Sequence, residues 1–402
     1  MNRLAGARQR GLSIVEMMVG VAVGLIATTV IMHTYASSEM YRRNLTGTGD
    51  AVQSAAIAAQ RIDLALQGAG AGLVRSKVNW GCKLLVTYSG SVVLPRSVAF
   101  PTPFDGVPTA LRLMPLLVSS GTGSASDVIV TMAAATASGN QAFAFSSPAG
   151  GGSIVSSVTP PLGVGLKPAA AASDYDLFLV TPEEADMDIQ DCRIVQAATT
   201  YATTLVSDAT LGLKVADAAM TIPLNTTTYG AIDASILAKR SSALHLGLRA
   251  DPRFAMLAVN GNKELVLYDL LNRSDPQVLA ENVFLVKVRY GLDNGVGGTI
   301  NDNAVDEWVS PAETGWTISA LMDGKRDTAQ KIAFIKAIRV AVVMRSSQTV
   351  NTDAATASID LFQDLATSRR FSYTLSAEEK AYQYQVYEWV IPLRNMREPS
   401  VF

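Results

Sequence analysis

A long apolar run near the start of the chain restricts the fold more than any other feature. Residues 11–36 read GLSIVEMMVGVAVGLIATTVIMHTYA, and the one carboxylate among them belongs to Glu16. A helix needs about 20 apolar residues to cross a bilayer, so the run predicts a membrane-spanning helix. Arg3, Arg8 and Arg10 precede it and no acidic residue does. This charge bias keeps the N-terminus in the cytoplasm and exports the rest of the chain.

Glu16 is the residue in this run that needs an explanation. A carboxylate at membrane depth is costly, so it is a functional candidate whose partner has to be named. An ordinary anchor tolerates Glu16 only where its carboxylate reaches back to the cytoplasmic interface. A secretory signal peptide has a shorter apolar region, which lacks a carboxylate and ends at a small-residue cleavage site.

The order of these residues resembles the class III leader of type IV pilins and of type II secretion pseudopilins. Basic residues are followed by Gly11, Leu12, a short uncharged spacer, Glu16 and an unbroken apolar helix. The resemblance implies that a prepilin peptidase cuts between Gly11 and Leu12 and methylates the new amine of Leu12. The family usually has Phe at that position, from which Leu12 departs. It also implies that Glu16 of one subunit pairs with the Leu12 amine of its neighbour, because two opposite charges that meet in lipid cost far less than either alone.

Two glycines in the apolar run have the spacing of a helix-packing motif. Gly20 and Gly24 lie four residues apart, and small residues at this spacing let helix backbones approach closely in lipid. Glycines are also common in membrane helices in general. The spacing therefore only supports the idea of helix packing.

The helix is expected to continue beyond the membrane. Apolar residues recur at helical spacing, at Val52, Ala55, Ala56, Ala59, Ile62 and Leu66. The glycine-rich segment at 68–72 is a strong stop signal. We therefore predict one long helix whose outer half lays an apolar stripe on a globular domain, with Thr46–Gly49 as its weakest segment.

The remainder of the chain is rich in short runs of Val, Ile, Phe and Tyr, which predict strands. The runs are Leu84–Leu94, Asp127–Met132, Tyr175–Val180, Phe284–Tyr290, Ile338–Met344 and Tyr382–Ile391. Asn260-Gly261, between two further runs, predicts a hairpin. The expected fold class is α+β, with a long N-terminal transmembrane and amphipathic helix packed on a β-rich antiparallel-sheet periplasmic domain, as in pilins.

The expected domain boundaries follow from these elements. A leader peptide spans 1–11, the transmembrane half of the helix 12–36 and its periplasmic half 37–72. The β-rich globular domain spans 73–402. Within it, a stretch near 133–173 rich in Gly, Ser, Ala and Pro is either a long surface loop or a divider between two subdomains.

The composition agrees with an exported, anchored protein. Hydrophobic residues make up 49% of the chain and charged residues only 17%, which is low for a cytosolic domain. The formal net charge is −2 and no basic cluster is present, so no direct nucleic-acid binding is expected. Cys82 and Cys192 are the two cysteines. In an exported chain such a pair favours a disulfide, and the alternative is two buried free thiols.

An enzyme is difficult to assemble from this sequence. The two histidines are His33, near the outer membrane interface, and His245, which follows a Ser/Lys/Arg stretch and is expected on the surface. The chain has no G-x-S-x-G elbow, phosphate-binding loop, H-E-x-x-H motif or dinucleotide fingerprint. We therefore expect no catalysis and no cofactor, with calcium as the one candidate.

A polar loop before Trp308 is the candidate calcium site. Asp302, Asn303 and Asp306 lie on a glycine-containing segment, with Asp293 just before it. Calcium prefers such oxygen ligands, but the spacing is not that of an EF-hand. The alternative is a solvated turn, which Asn, Asp and Gly favour for local backbone reasons.

The C-terminal half of the chain resembles the PilW family of large minor pilins. The segments that carry the likeness are Leu279–Val283, Val288–Asp293, Val305–Val309, Ala337–Ser346 and Tyr384–Asn395, with Ala58–Leu64 on the first helix. The resemblance implies a low-abundance pilus subunit that joins other minor pilins in a complex that primes assembly, near the fibre tip.

Its partners and location follow from the same resemblance. The partners would be other minor pilins, the major pilin, prepilin peptidase, the inner-membrane assembly machinery and, before assembly, the lipid bilayer. The protein would cross the bacterial inner membrane once, with its C-terminal domain in the periplasm. Two alternatives remain, namely a minor pseudopilin of a type II secretion system, which has the same leader, and a membrane-anchored periplasmic adhesin or enzyme.

Overall fold

One long helix leads into a β-rich body in the computed structural model. The structure describes residues 13–73, 80–134, 142–148, 150–156, 176–182, 191–198, 220–237, 240–249, 252–271, 275–300, 302–349 and 357–396. The long helix α1 spans Ile14–Gly68. Within these ranges three short α-helices follow, namely α2 (Ala234–Leu237), α3 (Ile318–Leu321) and α4 (Arg326–Ile332).

The helix α1 starts at a capping box and stops at the predicted glycines. The Ser13 backbone N–H donates to Glu16 Oε2 at 3.1 Å, and Ser13 Oγ accepts from Val15 N–H at 3.3 Å. These bonds satisfy two of the N–H groups that the first turn leaves unpaired. After Gly68 the chain turns through Gly70, whose φ is +75° and whose N–H donates to the Met132 carbonyl.

The segment Thr46–Gly49, the predicted weak point, is helical throughout. Gly47 is buried, and a Cβ built on it would lie 3.7 Å from Ser346 Cβ. The helix therefore already touches the domain at this level. Tertiary packing supplies most helical stability in proteins, which explains why the two glycines do not interrupt α1.

The first of three larger sheets has six strands. Its spatial order is β2 (Ser91–Leu94), β1 (Lys83–Tyr88), β8 (Asp191–Gln196), β7 (Asp176–Pro182), β10 (Ser241–Leu248) and β5 (Phe143–Phe145). The strands β1 and β8 pair in parallel, so this sheet is mixed and not purely antiparallel as expected. It takes strands from both sides of 133–173, and its edge strand β5 lies within that stretch.

The run Leu84–Leu94, predicted as one strand, is a hairpin. Ser89 and Gly90 have φ values of 48° and 76°. Two successive positive φ angles reverse the chain in the manner of a two-residue hairpin turn. The apolar residues on both sides of this turn pair as β1 and β2.

The second larger sheet has five strands and the third has four. The five-stranded order is β13 (Gln277–Ala280), β12 (Leu265–Asp269), β11 (Arg253–Val259), β4 (Val128–Ala133) and β3 (Leu116–Ser119). The four-stranded order is β15 (Glu307–Val309), β14 (Val283–Leu292), β16 (Ile335–Arg345) and β19 (Tyr384–Pro392). The hairpin predicted around Asn260-Gly261 is confirmed as β11 and β12.

Two small sheets complete the described strands. The strand β17 (Ser358–Leu361) pairs with β18 (Phe371–Thr374), and β6 (Ser153–Ser156) pairs with β9 (Met220–Pro223). The hairpin β17–β18 covers one face of the four-stranded sheet, where Phe362 and Phe284 form a satellite core. The main core extends from α1 through the three larger sheets, as the predicted α+β class requires.

The outer half of α1 packs on this body through a stripe of mostly small residues. The buried positions are Ala51, Ala55, Ala58, Ile62, Leu66 and Ala69, which recur at the spacing of one helix face. The prediction was wrong for Val52, which is 49% exposed, and for Ala56, which is also exposed. Alanines on the inner face allow a closer approach of the sheets than Val52 would.

A buried ion pair joins the five-stranded and four-stranded sheets. Lys287 Nζ on β14 lies 3.0 Å from Asp127 Oδ1, just before β4, and both side chains are almost fully buried. Asp127 also accepts backbone N–H groups from Gly121 and Val288 at 3.0 and 2.9 Å. Nearby, the Val118 N–H donates to the Tyr290 hydroxyl at 2.7 Å, and burial raises the pKa of Tyr290 well above its usual value. The relative position of the two sheets is therefore fixed by specific polar contacts.

Candidate assembly site

The first half of α1 lies entirely outside the body of the protein. The segment Ile14–Glu39 has 26 residues, a mean hydropathy of 2.2 and no buried position in its most apolar window. At 1.5 Å per residue it is longer than the roughly 30 Å of hydrocarbon in a bilayer. Among the described residues it is the one helix long and apolar enough to span a membrane.

Glu16 lies in the first turn of this exposed helix. Its carboxylate accepts the Ser13 N–H, and a negative charge there is favoured by the helix dipole. This local role of Glu16 was not among the predictions, although the S-x-x-E pattern of residues 13–16 signals it. Gly11 and Leu12, the predicted cleavage and methylation positions, lie outside the described residues.

Gly20 and Gly24 are exposed on the same helix. A Cβ built on either of them would have no neighbouring atom within 4 Å. The glycine notch is therefore open, and nothing in the described part of the chain fills it. This leaves helix packing by Gly20 and Gly24 a prediction about contacts with other chains.

The end of α1 is fastened to the four-stranded sheet. Trp389 Nε1 on β19 donates to Asp63 Oδ1 at 2.9 Å. Asn395 Nδ2 donates to the carbonyls of Gln67 and Ala69, both at 3.1 Å. The two bonds from Asn395 satisfy carbonyls at the end of the helix, where the last turn leaves them unpaired. Together with the apolar stripe, they hold the exposed half of α1 in a defined direction relative to the domain.

The two cysteines form the expected disulfide. Cys82 and Cys192 are fully buried, with their Cα atoms 5.5 Å apart. They lie at the adjoining starts of β1 and β8, which are 110 residues apart in sequence. The bond therefore closes a long loop across the parallel pair of the six-stranded sheet.

The candidate calcium residues do come together in one loop. Asp293 Oδ2 accepts the Asn303 N–H at 2.8 Å, and Asp306 Oδ2 accepts the Gly295 N–H at 2.6 Å. Asp302 Oδ1 accepts the Ala304 N–H at 2.8 Å. The carboxylates thus order the backbone of the loop. Within the described ranges, no group of three or more His, Cys, Asp or Glu side chains is placed to hold a metal, and calcium binding stays a prediction.

The expectation of a surface position for His245 was wrong. Its side chain is buried on β10, where Nε2 lies 2.8 Å from Asp176 Oδ1 and the ring packs on Phe178. The signal was available in the sequence, because His245 stands within an apolar run between Leu244 and Leu248. The prediction of an exposed position had relied on the basic residues that precede the strand.

These features define a class of protein with one apolar N-terminal helix that projects from, and is fastened to, a β-rich domain. Residues 260–395 match the family model of PilW, described as type IV pilus-assembly protein W. The match confirms the resemblance that the C-terminal segments predicted, and it supports a role related to type IV pilus assembly. No curated protein and no solved structure matches the chain.

The matched segment coincides with the part of the domain that holds the helix. It contains every strand of the four-stranded sheet, from β14 to β19. It also includes Trp389 and Asn395, which bond to the end of α1. The family likeness therefore covers the part of the domain that supports α1, and the six-stranded sheet lies outside it.

Proposed function

We propose that this protein is a non-catalytic minor pilin that joins other minor pilins in an inner-membrane complex, primes type IV pilus assembly and sits near the fibre tip. The observation that carries the proposal is the 26-residue apolar segment of α1, which is exposed along its length. A helix with this surface needs lipid before assembly and other apolar helices afterwards. The PilW match supports a pilus over a type II secretion system as the assembly that supplies those helices.

Glu16 provides the proposed register of assembly. Its bond to Ser13 N–H satisfies one oxygen but leaves the negative charge of the carboxylate in place. The amine of a neighbouring Leu12, exposed by prepilin peptidase, would neutralise that charge within the lipid phase. Because an unpaired charge there is costly, the pair favours one axial position of each subunit relative to the next.

The exposed glycines and the bonds that hold α1 to the domain also support the proposed role in assembly. The open notch at Gly20 and Gly24 lets a neighbouring helix approach closely. The bonds from Trp389 and Asn395 transmit the position of the helix to the periplasmic domain. The partners are then other minor pilins, the major pilin and the inner-membrane assembly machinery.

The variant Glu16→Gln tests the charge pairing without removing the helix cap. A glutamine serves in a capping box as well as a glutamate does, so Glu16→Gln keeps the bond from Ser13 N–H and removes only the charge. We expect normal membrane insertion but reduced co-purification of other pilins from membranes, and reduced piliation. Normal recovery of both would refute the pairing.

The matched control is Ser13→Ala. It removes the hydroxyl that accepts the Val15 N–H and keeps the charge of Glu16. The loss of such a cap costs about 0.5–2 kcal/mol of helix stability, and α1 is long and lipid-embedded. We expect Ser13→Ala to co-purify with other pilins like the wild type. If Ser13→Ala lost co-purification to the same extent as Glu16→Gln, helix capping and not charge would be what assembly requires.

A further inference from the structure

We propose that the free edge of β19 is a docking edge that receives an extended segment of a different fibre subunit. The proposal rests on the proposed function, because it names a contact within the pilus complex. The strand has nine residues. The edge strands β2, β3, β5, β13 and β15 have only three or four each. Long unpaired edges invite another strand. Among the larger sheets that the structure describes, β19 is the longest edge strand.

The register of β16 and β19 shows which backbone groups point outward. The Ser346 N–H donates to the Gln383 carbonyl and the Leu393 N–H to the Lys336 carbonyl, which sets the phase of the ladder. Alternate residues of an antiparallel strand bond to the same neighbour. The odd-numbered residues of β19 therefore bond to β16. The even-numbered ones direct their N–H and C=O groups to the free edge, namely Tyr384, Val386, Glu388 and Val390.

Within the described residues, no hydrogen bond reaches these outward backbone groups from another segment. Only Ile391 of β19 is buried. By contrast, every residue of β14 in the same sheet is buried. Over the described part of the chain, this edge of β19 therefore has no backbone partner.

The edge lacks the usual protection against pairing. Natural edges carry lysines, prolines or bulges that repel another strand. The strand β19 has no lysine, pairs with β16 without a register shift, and has its proline at the last position. Val386 and Val390 are 44% and 49% exposed and flank the edge with apolar surface.

The charge of the edge indicates the chemistry of the occupant. Glu388 is the one charged residue of β19. Its carboxylate accepts from Arg339 Nη2 at 2.8 Å and from the Phe362 N–H at 2.9 Å. The edge thus offers backbone groups and two valines, without a free charge to select a basic or acidic peptide. Its complement is an uncharged strand with β-branched or aromatic residues opposite Val386 and Val390.

The direction of β19 excludes a second copy of this chain as an antiparallel partner. Along β19 the contacts with α1 proceed from Gly47, which lies near Ser346 opposite Gln383, through Asp63 at Trp389 to Gln67 at Asn395. The strand therefore runs beside α1 in the same direction. Two β19 edges paired antiparallel would point the two α1 helices in opposite directions, which one shared membrane orientation forbids. A second copy could reach this edge only in parallel, which is the slightly less stable pairing, so we assign the edge to a segment of another subunit.

Hydrogen exchange at single amides tests the proposal on the full-length chain. In the chain purified alone in detergent, we expect fast exchange at Val386, Glu388 and Val390 and slow exchange at Tyr387 and Trp389. In the complex with the pilins that co-purify from membranes, the three outward amides should exchange at least about tenfold more slowly. The inward amides of Tyr387 and Trp389 should change little.

Edge variants separate docking from general assembly. The double variant Val386→Lys with Val390→Lys should lose the added protection, since lysines block edge pairing. The matched control is Val278→Lys, at a 51% exposed position of the edge strand β13. This variant should keep the added protection of the outward β19 amides in the complex. Unchanged exchange at Val386, Glu388 and Val390 in a complex that still forms would overturn the docking edge and leave the proposed function intact.

Two further outcomes would also overturn the proposal. A disulfide-linked homodimer of Val390→Cys on a non-reducing gel would assign the edge to a second copy of the chain. Failure of the wild type to co-purify with any pilin would remove the proposed function, and the docking edge with it.

Discussion

Replacement of Lys287 by methionine should destabilise the folded domain by several kcal/mol. Lys287 is 2% exposed, and its Nζ donates to Asp127 Oδ1 at 3.0 Å and to the Gly121 carbonyl at 2.7 Å. Methionine fills a similar volume but has no charge. Asp127, which is fully buried, then keeps its two backbone N–H donors but loses its counter-charge. Leaving one member of a buried ion pair alone costs about 3–5 kcal/mol.

The assay is denaturant unfolding of the full-length protein in detergent, followed by the fluorescence of its tryptophans. A second variant, Asp127→Asn with Lys287→Met, removes both charges and keeps an amide near the Gly121 and Val288 N–H groups. It should recover much of the loss, because the penalty arises from the unpaired carboxylate. A loss below about 1 kcal/mol in Lys287→Met, the range typical of exposed pairs, would refute the assignment of a buried, compensated charge.

Three further predictions concern maturation, the disulfide and pH. A bulky replacement such as Gly11→Leu should leave the chain at its unprocessed size on a gel, and a normal mature size would contradict the cleavage position. Cys82→Ala should lower the free energy of unfolding by about 4–5 kcal/mol, as expected for a 110-residue loop, and an unchanged midpoint would contradict this. A hydrogen bond from Arg339 lowers the pKa of Asp364. The Arg339–Asp364 pair therefore stabilises the folded state at neutral pH, and this contribution is lost as the pH falls through the pKa of Asp364 in the folded protein. Because Asp364 is 62% exposed, Asp364→Asn should cost less than about 1 kcal/mol at pH 7 and nothing in acid, measured by thermal unfolding across pH.

Predictions from the sequence were correct where the structure of a segment depends mainly on its own residues. The apolar run predicted α1, the glycines at 68–72 predicted its end, and Asn260-Gly261 predicted a hairpin, because helix length, chain reversal and turn geometry depend on a few neighbouring residues. The capping role of Glu16 belongs to the same kind of signal and was readable from Ser13.

Predictions failed where the outcome depends on residues far away in sequence. The buried face of α1 includes Ala51 but not Val52, since the sheets admit small side chains at close range. His245 is buried because β10 lies inside the six-stranded sheet between β7 and β5. The parallel pairing of β1 with β8 brings together segments about 110 residues apart, which no local pattern specifies.

What the sequence determined by itself is the long apolar helix, its carboxylate and the family likeness of the C-terminal third, since hydrophobic length, charge and motif are properties of contiguous residues. Only the tertiary structure decided how α1 is held against the domain and which strand of the four-stranded sheet has a free edge. Trp389 reaches Asp63 across more than 300 residues, and β19 becomes an edge strand only because β16 takes its other side. Backbone pairing between distant strands is a property of the whole fold, and so is the free edge that it leaves.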